Sequence, residues 1–300
     1  MADLGTYLEL VRAPAVLTVL GDSLVGHAAA GSRTARRRRS VLLLPAASAC
    51  LYAAGMALND FADRDLDAEE RPERPIPSGR VSARRAFGLG ASLSAVGLAL
   101  AAAAGGRRAL GIALPLTLCI WTYDLVAKPH PVAGPLLMGG CRGLDVLLGA
   151  GTDGAARAAG PALAMAAHTV GVTALSRGEV HGTSRPLAAG VSAATTLTTV
   201  LVASRRRAPS LAADPLAIAG ALAYALRCLP AQWSAVAEPS GPRAREATKQ
   251  GIRAMVPLQT ALVLPGVRGG RVGAAAFLAA VDLAGALLRT RRRGGEVSET

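Results

Sequence analysis

Long apolar runs alternate with short polar connections along nearly the whole chain. Runs that reach, or nearly reach, the length needed to cross a hydrocarbon core of about 30 Å at about 1.5 Å per residue begin near Ala13, Ser40, Arg84, Ala109, Val132, Gly160, Leu187, Leu211, Ile252 and Val272. The pattern predicts an all-α fold, a polytopic transmembrane helical bundle of about nine helices enclosing a central cavity. The run at 252–267 is short and carries Pro257 and Pro265, so a broken or re-entrant span is expected there. Charges and helix breakers mark the connections at 33–39, 61–85, 105–108, 128–131, 151–157, 177–186, 205–209 and 238–249. No tandem repeat is visible. The chain reads as one domain over 1–300, with polar segments at 59–82 and 176–185 and a basic to polar tail at 290–300.

Composition supports the membrane reading. Of 300 residues 51% are hydrophobic, yet Phe, Trp and Tyr make up only 3%, so the apolar mass is Ala, Leu, Val and Gly. A soluble core needs alternating polar faces and aromatic bulk, whereas membrane helices need continuous apolar runs and small residues for close packing. The net charge of +13 comes largely from clustered arginines such as Arg36 to Arg39, Arg205 to Arg207 and Arg291 to Arg293. These punctuate apolar runs as headgroup anchors, and no aromatic interleaving or nucleic-acid motif accompanies them, so no nucleic-acid partner is expected. Cys50, Cys119, Cys141 and Cys228 each stand alone in apolar sequence, which fits neither a disulfide framework nor a zinc site. Asp3 and Glu9 precede the first apolar run, without a basic region, so that run is expected to stay in the protein.

The densest chemistry lies at Asn59-Asp60-Phe61-Ala62-Asp63-Arg64-Asp65-Leu66-Asp67. If the second apolar helix continues past the membrane edge, Asp60, Asp63 and Asp67 share one face, with Asp65 on the other. Like charges at these spacings repel, and a hard cation relieves them. Mg²⁺, usually bound by one or two carboxylates together with phosphate and water, suits such an open face. The alternative is a solvated acidic loop. Two features favour the cation: carboxylates are costly at the membrane edge, and Arg71, Arg74 and Arg80 follow, as suits a diphosphate. Pro72, Pro75 and Pro77 stop the helix, and Ser78-Gly79 turns the chain toward the next.

Asn-Asp-x-x-Asp-x-x-x-Asp at 59–67, Arg71, Arg74-Pro75-Ile76 and Ser78-Gly79-x-Val81-Ser82 together resemble the first signature of the UbiA superfamily of membrane prenyltransferases. The resemblance implies a Mg-dependent intramembrane enzyme that ionises an isoprenoid diphosphate and transfers the prenyl group to an aromatic or other lipophilic acceptor. A terpene cyclase, or a non-catalytic isoprenoid- or lipid-binding protein, is the alternative. It further implies that Lys128 holds diphosphate, that Arg142 and Arg12 face the cavity, and that Asp22 does so too. Ordinary readings compete: an interfacial lysine anchor for Lys128, a helix-to-helix hydrogen bond for Asp22, and an i,i+3 pair for Arg142 and Asp145, each costing about 2.5 to 3.5 kcal/mol if unpaired at mid-membrane.

The second half departs from the family pattern. Where a second acidic signature is expected, the chain reads Ser176-Arg177-Gly178-Glu179, which resembles EboC-like members. By that resemblance Glu179 completes the metal set with Asp60, Asp63 and Asp67, and Arg177 neutralises phosphate, with Asn59, Arg71 and Arg74 also on the substrate. A helix-end Arg and Glu on a solvated loop is the alternative. His168 and His181 read as packing or surface residues rather than as bases. The expected partners are an isoprenoid diphosphate, a lipophilic acceptor and the lipid bilayer, in the plasma (inner) membrane of a bacterium.

Overall fold

A computed structural model describes residues 3–12, 16–31, 37–204 and 215–263. The apolar run expected from Val272, Asp282, the arginines at 205–207 and 291–293, and the tail at 290–300 lie outside them. Among the described residues there is no strand, only α1 (Leu4–Leu10), α2 (Val16–Ala30), α3 (Arg37–Ala62), α4 (Arg64–Glu70), α5 (Ala83–Thr122), α6 (Ala133–Ala150), α7 (Ala155–Ser176), α8 (Arg185–Ala203), α9 (Pro215–Ala237) and α10 (Gly241–Val263), with a π-helical turn at Tyr123–Ala127.

α5 is a hairpin of two arms. Gly106 has φ 63° and ψ −147°, which breaks the helix where only glycine is unstrained. On a straight helix Ser94 and Trp121 would stand roughly 40 Å apart, yet Trp121 Nε1 donates to Ser94 Oγ at 3.1 Å. The Phe87 and Trp121 rings lie 5.7 Å apart, centre to centre. The arms 83–105 and 107–122 therefore run antiparallel, as the separate runs near Arg84 and Ala109 predict. With α2, α3 and α6 to α10 this makes nine rods among the described residues. The segments Leu42–Ala62, Ala83–Ala127, Thr152–Ser176 and Arg185–Ala203 are long and apolar enough, by length and composition, to cross a membrane.

The α10 expectation needs correction. The helix begins at Gly241, not near Ile252, and runs unbroken through Pro257 to Val263. Its first turns carry Arg243, Arg245, Glu246 and Lys249, so a polar stretch that reads as a loop is helix beyond the apolar run. Hydropathy marks depth, not helicity.

Small residues let the rods approach closely. A methyl group on Gly26 of α2 would stand 1.9 Å from the Val146 carbonyl oxygen, and one on Gly149 of α6 would stand 2.5 Å from the Ser23 backbone. That crossing puts α2 between the halves, against α3, α6, α7 and α10. One apolar cluster joins α3, both arms of α5 and α6 through Leu44, Leu51, Ala101, Ala113, Leu116 and Leu148. Another, around Val25, Met165, Tyr224 and Leu258, joins α2, α7, α9 and α10. His168 lies within this half, within 3.1 Å of both the Tyr224 hydroxyl and the Gly251 carbonyl, so it packs, as expected.

Candidate functional site

The ends of α1 and α3, the segment after α4, the π-turn and the turn after α7 surround one cavity of about 640 Å³. Its mouth is lined by Arg12, Asn59, Asp63, Arg71, Arg74, Asp124, Lys128 and Glu179, and its walls by Leu51, Met56, Leu116, Ile120 and Met138. Ser48, Tyr52, Arg142 and Asp145 line it more deeply. Eleven residues of α3 separate Asn59 from Ser48, a depth of roughly 16 Å.

The acidic segment is not the single continuous helix that the spacing suggests. α3 stops at Ala62, Asp63 takes φ −86° and ψ 0°, and α4 starts at Arg64. This junction divides the carboxylates. Asp63 is paired with Lys128 across the mouth. Asp60 and Asp67 are 5% and 2% exposed and share Arg74, whose Nη1 lies 2.7 Å from Asp67 Oδ2 and 3.5 Å from Asp60 Oδ1. Arg12 Nη2 adds a 3.0 Å bond to Asp60 and a 3.3 Å bond to the Asn59 side-chain oxygen, and Arg71 lies 3.7 Å from Asp67. Among the described residues no group of three or more His, Cys, Asp and Glu side chains is gathered to hold a metal ion. The expected set Asp60, Asp63, Asp67 and Glu179 is thus not gathered as a cation cage; Asp60, Asp63 and Asp67 are instead each paired with a guanidinium or ammonium group.

Local sequence explains how the basic groups reach the mouth. Pro75 and Pro77 fold the chain back, so that Val81 N donates to the Pro75 carbonyl at 2.8 Å and Gly79 takes φ 74°. Val81 is then buried with Leu10 and Ala57, with Ile76 packed against them, which pins α1 over α3. Arg80 fastens the same joint through Glu9, at 2.6 and 3.0 Å, and holds the Glu9 carboxyl below the usual carboxylate range. Arg12, just beyond α1, has φ 48°, a conformation costly for a side-chain-bearing residue. Lys128 follows the π-turn, where its N–H bonds to the Tyr123 carbonyl at 2.9 Å. Such turns frequently occur at functional sites.

Three further residues depart from the sequence reading. Arg142 pairs with Asp22 of α2, not with Asp145, and Gln259 of α10 donates to the other Asp22 oxygen at 2.8 Å. The i,i+3 alternative fails because α2 crosses α6 so closely, and Asp22 is indeed a helix-to-helix hydrogen bonder. Arg177 is not among the residues that line the cavity; it donates to the Lys128 and Pro129 carbonyls at 3.0 and 2.8 Å. Asp124 received no role from sequence, yet it is 7% exposed, lines the mouth and accepts from Asn59 Nδ2 at 3.4 Å. Its signal was a carboxylate ending an apolar run.

Residues 19–248 match the UbiA prenyltransferase family. Digeranylgeranylglyceryl phosphate synthase of Methanopyrus kandleri is 36% identical over 146 residues, covering 48% of this chain and 52% of that protein. The Ignicoccus hospitalis protein of the same name is 43% identical over 103 residues, 34% of this chain and 32% of that one. The chain thus matches about half the length of the first of these curated relatives, or less. A solved digeranylgeranylglyceryl phosphate synthase superimposes with a TM-score of 0.65 at 19% identity, over 92% of this chain and all of that one. A UbiA homologue from Archaeoglobus fulgidus bound to DMAPP and Mg²⁺ gives 0.62 at 18% identity, over 83% and 99%. At these identities the superpositions show the fold. The family match and the apolar helices together mark an integral membrane protein. The chain belongs to the UbiA prenyltransferase family.

Proposed function

We propose that this chain is a Mg²⁺-dependent intramembrane prenyltransferase, acting as a single domain on an isoprenoid diphosphate and a lipophilic acceptor. The observation that carries the reading is a charged mouth over an apolar chamber in one cavity. Arg12, Arg71, Arg74 and Lys128 face it from three separate segments, which is what a compact polyanion requires.

The residues fit a bound Mg²⁺. Asn59, Asp60, Asp63, Asp67, Asp124 and Glu179 offer only hard oxygens, the donors this ion prefers. Asp60, Asp63 and Asp67 would hold it, with Glu179 across the mouth. When bound, Mg²⁺ supplies positive charge to the leaving diphosphate. The arginine and lysine heads now on these acids then turn to phosphate oxygens, so little charge is left unpaired. Below the mouth, Met56, Leu116, Ile120 and Met138 exclude water from the allylic carbon. The C–O bond breaks with its electron pair on the diphosphate, the acceptor bonds to the carbon, and a proton is lost from the acceptor.

The acceptor is aromatic or another lipophilic molecule, a prenylated glyceryl phosphate being suggested by the relatives' names. The proposed setting is the plasma membrane. The test is proteoliposomes supplied with dimethylallyl, geranyl, farnesyl or geranylgeranyl diphosphate and phenolic or glyceryl phosphate acceptors. Diphosphate release is expected only with Mg²⁺. No Mg²⁺-dependent release with any of the four would sink the reading.

A further inference from the structure

Asp145 is a buried acid that the chemistry at the mouth does not use. It lies on α6, is 5% exposed, and lines the deep end of the cavity with Ser48 and Tyr52 of α3. Ser48 Oγ donates to its Oδ1, while Oδ2 is buried with no hydrogen-bond partner. The neighbouring Arg142 is bonded to Asp22 and not to Asp145. Two carboxylates, Asp22 and Asp145, thus flank one guanidinium. Leu44, Ala113 and Leu148, which do not line this cavity, pack in the apolar cluster of the same half, so Ser48, Tyr52 and Asp145 make a polar floor beside apolar side chains.

A buried carboxylate oxygen without a donor is costly, and few such atoms persist in folded proteins. An apolar chain end placed there would leave the oxygen desolvated, and an anionic group would face two carboxyl groups that share one guanidinium. A neutral or cationic hydrogen-bond donor satisfies both conditions. The roughly 16 Å between Ser48 and Asn59 leaves room for an apolar body between this floor and a diphosphate at the mouth. We infer that Asp145, with Ser48 and Tyr52, forms the polar subsite for the second substrate, binding a hydroxyl or amine carried on its lipophilic body. This rests on the proposed diphosphate site for the substrate's order in the cavity, and it makes Asp145 a determinant of acceptor choice. A phosphate-bearing acceptor would keep its anion at the basic mouth.

The test uses the full chain in nanodiscs with geranyl diphosphate and Mg²⁺, and reads binding of 2-naphthol, 2-naphthylamine and naphthalene-2-carboxylate. In the wild type the alcohol and amine are expected to bind at least about tenfold more tightly than the carboxylate. Asp145→Asn should lower 2-naphthol affinity about tenfold and erase the preference against the carboxylate, with geranyl diphosphate binding within about twofold of wild type. Should Asp145→Asn fail to fold, Ser48→Val crowds the same floor with methyl groups and should give a similar loss. Unchanged naphthol binding in the folded variant, or a wild type that takes the carboxylate equally well, overturns the subsite. Failure of the wild type to bind geranyl diphosphate overturns the mouth reading instead, and a naphthol preference abolished by Asp145→Asn would still uphold a donor subsite.

Discussion

The polar connections at 59–82 and 176–185 both follow a long helix into the same cavity mouth, but they are built differently. In the first, Asp60, Asp63 and Asp67 are each paired with a cation, and Pro75, Pro77 and the Arg80 to Glu9 clasp fix the backbone around them. In the second, Glu179 is the one acid facing the mouth, its nearest cation Arg245 Nε is 4.0 Å away, and Arg177 is spent on backbone carbonyls. Two segments in similar positions need not share the work equally. The first gathers three acids with their cations at the mouth, and the second brings one acid there and, through Arg177, braces the connection that carries Lys128.

Variants can break or sharpen this contrast. The largest effect is expected for Asp63→Ala, which leaves Lys128 without its acid and removes an oxygen from the proposed metal set: Mg²⁺-dependent diphosphate release should fall by about 10²- to 10³-fold. Glu179→Gln should cost about tenfold in the same assay. Equal losses at Asp63 and Glu179 would mean that the two segments contribute alike. Arg177→Ala removes two hydrogen bonds that seat Lys128, and a rise of about three- to fivefold in KM for geranyl diphosphate, with kcat little changed, would mark it as a positioning residue. A fall in kcat as large as that of Glu179→Gln would place it on the phosphate after all.

The smallest effect concerns the clasp. Arg80 lowers the Glu9 pKa, so the pair stabilises the fold above the carboxylate's ordinary value of 4.5 and loses that contribution as pH falls through the lower folded value. The pair is exposed, so solvent screens it. Glu9→Gln should lower the melting temperature by about 1–2 °C at pH 7 and leave it unchanged at low pH. A constant difference at both pH values would assign the effect to packing rather than charge.

What the sequence made legible follows from range. Helix positions and the break near Gly106 depend on residues near one another, and among the described residues the apolar runs located the long helices apart from the start of α10, but not the short α1 and α4 or the break at Asp63. The membrane-edge cost of Asn59 and Asp60 singled out this segment; in the structure Asn59 lines the cavity and Asp60 is buried beside it against Arg12 and Arg74. Partner choice did not read through: Arg142 has Asp145 one turn away, but the Gly26 and Gly149 contact brings Asp22 closer, and only the fold supplies that. Arg177 shows the same limit, because its carbonyl partners lie some fifty residues earlier in the chain. Asp124 was visible as a charge ending an apolar run, but its role depends on Asn59 standing across the mouth.

The reversal at Gly106 also fixes a question of parity. Because α5 returns on itself, Ala83 and Thr122 emerge on the same side, and this forty-residue stretch adds two crossings at once. Everything after Tyr123 keeps the sidedness it would have had without the hairpin. A helix-straightening Gly106→Ala that converted the pair to one long crossing would invert every later loop, carrying Lys128 and Glu179 to the opposite face from Asp63. One left-handed glycine therefore decides whether the two halves of the mouth can meet.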